Sequence, residues 1–314
     1  MMNNYTFISV VVLTYNPIWI KLRNTLKSII NQKNVDFEII ISDDGSEQDY
    51  FDKVELFFKE SNFKNYSLNK NTVNYGTVKN VLSALKIAKG KYIKLISPGD
   101  FFYDNNTLEA FVNFINNKPA SFYFSNIFYY IKKEDNSIEL FYDKKNPNNI
   151  KPWIKNNKKK IYRYYLLKGD FICGATTVFE KETLQKYLLE LKEIIKYAED
   201  FVLIYMIAKK EPGYYINIDK GIWYEYGSGI STNTNNKFSL IIQQEKRLVY
   251  EFLMNKGIIP SWIYNIHYLK NITKQRLLRF IFFPESFLFR FSKTIKGYKL
   301  FDYNISELKK ILEE

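Results

Sequence analysis

Four short clusters carry side chains able to do chemistry: Thr14-Tyr15-Asn16, Asp43-Asp44-Gly45-Ser46, Ser97-Pro98-Gly99-Asp100 and Glu199-Asp200. Each ends an apolar run or opens a helical pattern. Carboxylates so placed can accept hydrogen bonds, hold a divalent cation or take a proton from an attacking hydroxyl. Taken singly, each has a plainer reading. Asp-Gly is a common turn, and Glu199-Asp200 can serve only to stabilise a helix amino terminus. The chain has one cysteine, Cys173, and one histidine, His267, which excludes an internal disulfide and argues against multi-cysteine or histidine metal sites and Ser-His or Cys-His triads.

The elements that position these clusters follow from apolar patterning. Residues 37–46, FEIIISDDGS, read as a strand buried on both faces that runs out of a core into a crevice, since alternation is lost where neither side meets water. A strand over residues 7–14 and a helix from Pro17 to about Gln32 precede it. Helices over 47–61 and 77–88, a short strand near 66–68 and a buried strand over 92–96 continue the alternation, with Gly90 expected to end the 77–88 helix. Alternating strands and helices predict an α/β fold with a mostly parallel sheet whose carboxyl ends face the ligand. Beyond it the spacing predicts a helix over 106–116, aromatic strands over 122–131 and 138–142, a strand over 171–179, helices from Lys181 and from Glu199-Asp200, and a helical carboxy-terminal part from Phe238. Residues 144–160, basic and Asn-rich, read as a long functional loop.

Length and charge narrow the classes. A 314-residue chain with 26 Tyr, 26 Phe and few Gly and Pro is a folded protein able to bury a large core. The net charge of +13 is local: residues 144–163 hold eight basic and no acidic residues, and residues 270–299 hold eight basic residues against Glu285. The rest is close to neutral, which argues against a nucleic-acid partner. Neither G-x-G-x-x-G after the first strand nor G-x-x-x-x-G-K-[ST] is present, demoting dinucleotide oxidoreductases and P-loop enzymes. No apolar run is long enough for a signal-peptide core or a membrane span, so a cytoplasmic location is expected.

SVVVLTYN, EIIISDDGS, NYGTVKN, GKYIKLISPGD and a downstream Glu-Asp, in that order, resemble the family 2 glycosyltransferases of GT-A fold, of the type that builds bacterial polysaccharides and lipid-linked glycans. The resemblance spans about residues 7–231, with GSGIST at 227–232 matching the loop that often closes such domains. It implies a catalytic domain over 1–235 with a mostly parallel central sheet flanked by helices, and a helical extension over 236–314. It also implies inverting transfer from a nucleotide sugar, most simply a UDP-sugar, to a hydroxyl of a glycan or lipid-linked glycan.

By the same resemblance Asp44 accepts the uracil imide proton, Tyr15 flanks the ring, Asp43 supports that pocket, and Lys79 reaches ribose or phosphate unless it is simply a solvated helix lysine. Asp100 matches the last carboxylate of an Asp-x-Asp-Asp pattern that binds Mn²⁺ or Mg²⁺ against the diphosphate. Ser97 and Gly99 stand where the other carboxylates are usual, which weakens the metal site. Asp200 is the expected general base, with Glu199 and Gly174, within Cys173-Gly174-Ala175, on the acceptor side. Residues 276–299, basic and rich in large apolar groups around Pro284, suit either an anionic membrane surface, as a peripheral contact on the inner face of the cytoplasmic membrane, or a helical subdomain or dimer contact. The reading from another class is a sugar-nucleotide- or glycan-binding protein with a degraded site.

Overall fold

Strand β1 (Ile8–Thr14) and strand β2 (Phe37–Asp43) are buried along their whole length. The computed structural model describes residues 8–142, 144–227, 236–272, 298, 303 and 305–313. Helix α1 (Trp19–Ile30) joins the two strands and turns Leu22, Leu26 and Ile29 inward; α2 (Phe51–Glu60) does the same with Val54, Phe57 and Phe58. Then come β3 (Tyr66–Lys70), α3 (Thr77–Ile87), β4 (Tyr92–Ile96), the two-residue β5 (Phe101–Phe102) and α4 (Thr107–Asn117). β1 pairs in parallel with both β2 and β4, and β2 in parallel with β3. Alternate residues of these strands feed two cores. Val11, Leu13, Ile40, Ile93 and Leu95 enter one, while Ile8, Val10, Val12, Ile39, Ile41 and Ile96 enter the other. Cover on both faces explains the unbroken apolar runs.

The aromatic stretch expected as one strand over 122–131 is two. β6 (Phe122–Phe124) and β7 (Asn126–Lys132) are separated by Ser125, whose amide donates to the Thr176 carbonyl at 3.1 Å. β8 (Ile138–Phe141) follows. The basic segment 144–160 is not a plain loop: it forms α5 (Lys151–Ile154) and opens α6 (Lys158–Tyr162), because Ile150, Trp153 and Ile161 bury themselves in the first core. A π turn over Arg163–Leu167 continues it. The strand expected over 171–179 is confined to β9 (Thr177–Glu180), behind a 3₁₀ turn at Gly174–Thr176. α7 (Lys181–Leu191), a 3₁₀ turn at Glu199–Phe201, α8 (Val202–Ala208), β10 (Gly213–Tyr215) and β11 (Gly221–Glu225) complete the framework.

The large sheet has the order β10-β6-β9-β4-β1-β2-β3, with only β9 antiparallel to its neighbours, and a second sheet has the order β5-β11-β7-β8. Gly90 is not a left-handed helix cap. A side chain there would lie 2.4 Å from the Ser9 amide nitrogen, so close passage of β1 requires the glycine. The carboxy-terminal helices α9 (Asn236–Asn255) and α10 (Ser261–Ile272) place Val249, Tyr250, Leu253 and Ile263 in the core that holds Val11. α11 (Ile305–Glu313) sets Leu308 and Ile311 against Phe101, Tyr103, Phe128, Tyr130 and Trp223 of the second sheet and its flank. Among the described residues no helix is long and apolar enough to cross a membrane. The segment 276–299 lies, apart from Tyr298, outside the described residues, as does 228–232 of the GSGIST stretch.

Candidate active site

The turns after β1 and β2 are tied into one frame. Asp43 is fully buried: Oδ2 accepts from the Ser46 amide at 2.9 Å, and Oδ1 accepts from the hydroxyls of Ser46 at 2.5 Å, Tyr50 at 3.0 Å and Thr14 at 3.3 Å. Ser46 Oγ in turn accepts from the Asn16 amide at 2.7 Å, and Asn16 Oδ1 from the Glu47 amide at 3.0 Å. Tyr15, between those tethers, is left 48% exposed.

Asp44 faces the next turn. Its Oδ1 accepts from Asn71 Nδ2 at 2.9 Å and the Tyr75 amide at 3.1 Å, and its Oδ2 from the Gly76 amide at 2.7 Å. A carboxylate offers about four acceptor sites, so one remains for a ligand donor. Gly76 sits at φ 92° with Lys196 packed where a side chain would go, and the Val78 amide donates to the Lys196 carbonyl at 3.1 Å. The start of α3 is thereby fixed both to Asp44 and to the segment leading into Glu199. Lys79 pairs with Glu193 at 3.4 Å, both side chains exposed, at a cleft of about 400 Å³ shared with Tyr75, Tyr197 and Glu245.

At the end of β4, the Asp100 amide donates to the Ser97 carbonyl at 3.0 Å, closing a turn that leaves Ser97 exposed and Asp100 buried. Gly99 has φ 101°, and a side chain on it would lie 2.8 Å from Glu225 Oε2, so β11 approaches this turn closely. Glu225 pairs with Lys21 at 2.5 Å. Lys94 is wholly buried beneath the turn; its ammonium donates to the Leu95 carbonyl at 2.6 Å and to the Ala175 carbonyl. Burial pushes the Asp100 carboxyl up to about 7, against the pull of Lys94 and with Glu225 adding to the rise. Burial likewise draws the Lys94 ammonium down to about 7, with Asp100 opposing.

Across from this turn, a methyl group on Gly174 would lie 3.1 Å from Asp200 Cβ and 3.4 Å from Glu199 Oε1, so the Gly174 backbone rests on the Glu199-Asp200 turn. Burial raises both carboxyl pKa values; the Asp200 charge adds to the rise at Glu199, while Lys246 and the Gly174 amide oppose the rise at Asp200. Cys173 lies between the two acidic turns. Burial pushes its thiol well up, Asp100 and Asp200 adding to the rise and Lys94 opposing it. Among the described residues no three His, Cys, Asp or Glu side chains converge to hold a metal ion.

Residues 9–188, more than half of the chain, match the sequence profile of Glycosyl transferase family 2. The chain belongs to that family. An uncharacterized glycosyltransferase of Methanocaldococcus jannaschii is 26% identical over 244 residues, covering 73% of this chain and 80% of that protein. Another, from Rickettsia conorii, is 27% identical over 209 residues, covering 66% of this chain and 31% of that longer protein. Among solved structures, S. aureus TarS residues 1–349 in complex with UDP superposes with a TM-score of 0.55 at 17% identity, covering 91% of this chain and 75% of that one. The same fragment in complex with UDP-GlcNAc gives 0.56 over 87% of this chain and 74% of that one, again at 17% identity. These likenesses show the fold, a mixed α/β domain of GT-A type.

In this family 2 glycosyltransferase the chain folds so that Asp43, Asp44 and Tyr15 share one frame, and Gly174, Glu199 and Asp200 another. Asp100 is linked to the second through Cys173 and Lys94. Lys79 is the outlier, held by Glu193. Asn71, Lys94, Glu225, Glu245 and Lys246 were not singled out by the sequence, while Asn16 and Ser46 fell within its clusters without an assigned role. A signal existed for Lys94 alone, a lone lysine inside an otherwise apolar strand.

Proposed function

We propose that this family 2 glycosyltransferase moves a sugar from a UDP-sugar to a hydroxyl of a glycan or lipid-linked glycan, with inversion at the anomeric carbon. The observation that carries the reading is the pairing of the two acidic turns: Gly174 lies against Asp200, and the adjacent Cys173 feels the charges of both Asp100 and Asp200. In this reading Asp200 serves as the base and Asp100 as the carboxylate on the diphosphate side. TarS, of the same fold, binds UDP and UDP-GlcNAc, which supports a uridine donor. Asp44 retains one acceptor site for the uracil imide, beside the exposed ring of Tyr15. Asp43 keeps both turns in place, and Ser97, exposed at the β4 turn, is the residue assigned to ribose in this reading.

The acceptor hydroxyl loses its proton to Asp200 as its oxygen bonds to the anomeric carbon and the bond to the diphosphate breaks; attack opposite the leaving group inverts configuration. Glu199 and Gly174 shape the acceptor side. Asp100 is the residue that would hold Mn²⁺ or Mg²⁺, and one protein carboxylate with substrate phosphates and waters is a donor set of hard oxygens that suits these ions. Such an ion supplies positive charge to the departing diphosphate. Retention of both Asp100 and Asp200 speaks against a degraded binding protein.

The deciding experiment is paired. Asp200→Asn lowers transfer from UDP-sugar by about 10² to 10⁴, the range typical of general-base loss, while UDP affinity is kept. Product configuration is read by NMR. A variant transferring at the wild-type rate, or a retained configuration, removes Asp200 from this role.

A further inference from the structure

Helix α9 lies beyond the strand framework, yet its middle turn reaches the candidate base. Glu245 is 6% exposed. Its Oε1 accepts from the amides of Lys196 at 2.8 Å and Tyr197 at 3.1 Å, and its Oε2 from those of Tyr197 at 3.2 Å and Ala198 at 2.9 Å. Three successive amides converge on one carboxylate, immediately before Glu199-Asp200. Charged acceptors of backbone amides make the stronger hydrogen bonds, and an amide side chain would turn its own N–H₂ toward a donor. The next residue, Lys246, is near enough to Asp200 and Asp170 for both carboxylates to favour its ammonium form against the burial that disfavours it.

Resting on the glycosyl-transfer reading above, we propose that Glu245 is a positioning residue for Asp200: through the amides of Lys196, Tyr197 and Ala198 it fixes the backbone from which the base projects. The two neighbours on one helix act on Asp200 with opposite sign: Lys246 favours its ionised form and Glu245 disfavours it. The other titratable groups that interact with Asp200 are Glu199 in its own turn, Cys173 before the Gly174 turn and Tyr165 on the π turn; Asp170 faces Lys246.

The test follows UDP release from UDP-N-acetylglucosamine, with water as acceptor, across pH. Glu245→Gln lowers kcat about tenfold, as expected for a sub-ångström misplacement of the base, leaves KM within about twofold, and moves the acid limb of kcat to lower pH. Glu245→Asp keeps the charge but is one methylene short, so it lowers kcat without moving the limb. Lys246→Gln leaves the Glu245 contacts intact and moves the limb to higher pH. Wild-type kcat in Glu245→Gln, or limbs moving together in the two charge variants, overturns the proposal. The Asp200 carboxyl is also titrated directly by NMR in aspartate-labelled protein, where the same opposite displacements are expected and coincident titrations overturn it. Should Glu245→Gln fail to fold, Glu245→Asp carries the test alone, and a wild-type kcat there overturns the assignment. A wild type that releases no UDP from any nucleotide sugar overturns the transfer reading itself, an outcome separate from equal titrations.

Discussion

At the turn after β2, proposed for the sugar-nucleotide, each carboxylate is surrounded by hydrogen-bond donors. Asp43 has Ser46, Tyr50 and Thr14; Asp44 has Asn71, Tyr75 and Gly76. At the two turns proposed for transfer, Asp100, Glu199 and Asp200 meet burial and neighbouring acids, and all three carboxyls are pushed up. The contrast separates two uses of the same chemical group. A carboxylate satisfied by fixed donors is a structural fastener that shapes a pocket. One whose donors do not offset its burial holds its charge at a cost, which suits a group that must take up a proton or a cation during turnover.

Breaking a fastener should cost stability first. Asp43→Ala leaves the Ser46 amide without its acceptor and removes the one shared by the Ser46, Tyr50 and Thr14 hydroxyls, and unfolding free energy measured by denaturant titration should fall by about 2–4 kcal/mol, with UDP affinity falling too. Full stability in this variant would erase the contrast. At the turns proposed for transfer, Gly174→Ala should leave stability and UDP affinity nearly intact while lowering transfer about tenfold, because the added methyl meets Asp200 Cβ at 3.1 Å and shifts the base by a few tenths of an ångström. An unchanged turnover number would show that the turn yields freely.

The pH dependence sharpens the same comparison. With its carboxyl raised to about 7, Asp100 is ionised above that pH and protonated below it. The increment that Mg²⁺ or Mn²⁺ adds to thermal stabilisation by UDP should therefore fade as pH drops through about 7, and a flat increment down to the ordinary carboxylate range would contradict the burial. In the ligand-free protein the sign reverses. An acid whose folded-state pKa is raised binds more protons folded than unfolded, so the Asp100 contribution to stability is present at low pH and lost as pH climbs to about 7. The smallest effect is expected at Lys79→Ala, where an exposed pair with Glu193 contributes at most about 0.5 kcal/mol of stability. A fall in UDP affinity larger than that would mean that Lys79 leaves Glu193 to meet the donor.

The sequence by itself determined the alternation of β1, α1, β2, α2, β3, α3 and β4, because burial on both faces writes itself locally as apolar runs bounded by turns. It also determined where the acidic turns fall, since strand ends and turn residues are local features, and the order of those turns was enough to name the family. Tertiary structure alone decided which turns meet. Ser125 splits an aromatic run between two sheets because its neighbours pair with strands far along the chain, and Gly90 answers to Ser9 across β1 rather than to its own helix. Lys79 carries the local pattern of a ligand-side lysine, yet its nearest opposite charge, Glu193, comes from beyond α7. Glu245 closes on amides almost fifty residues earlier. Such contacts depend on how helices pack across a sheet, and packing brings together residues whose spacing in the chain carries no mark of their meeting.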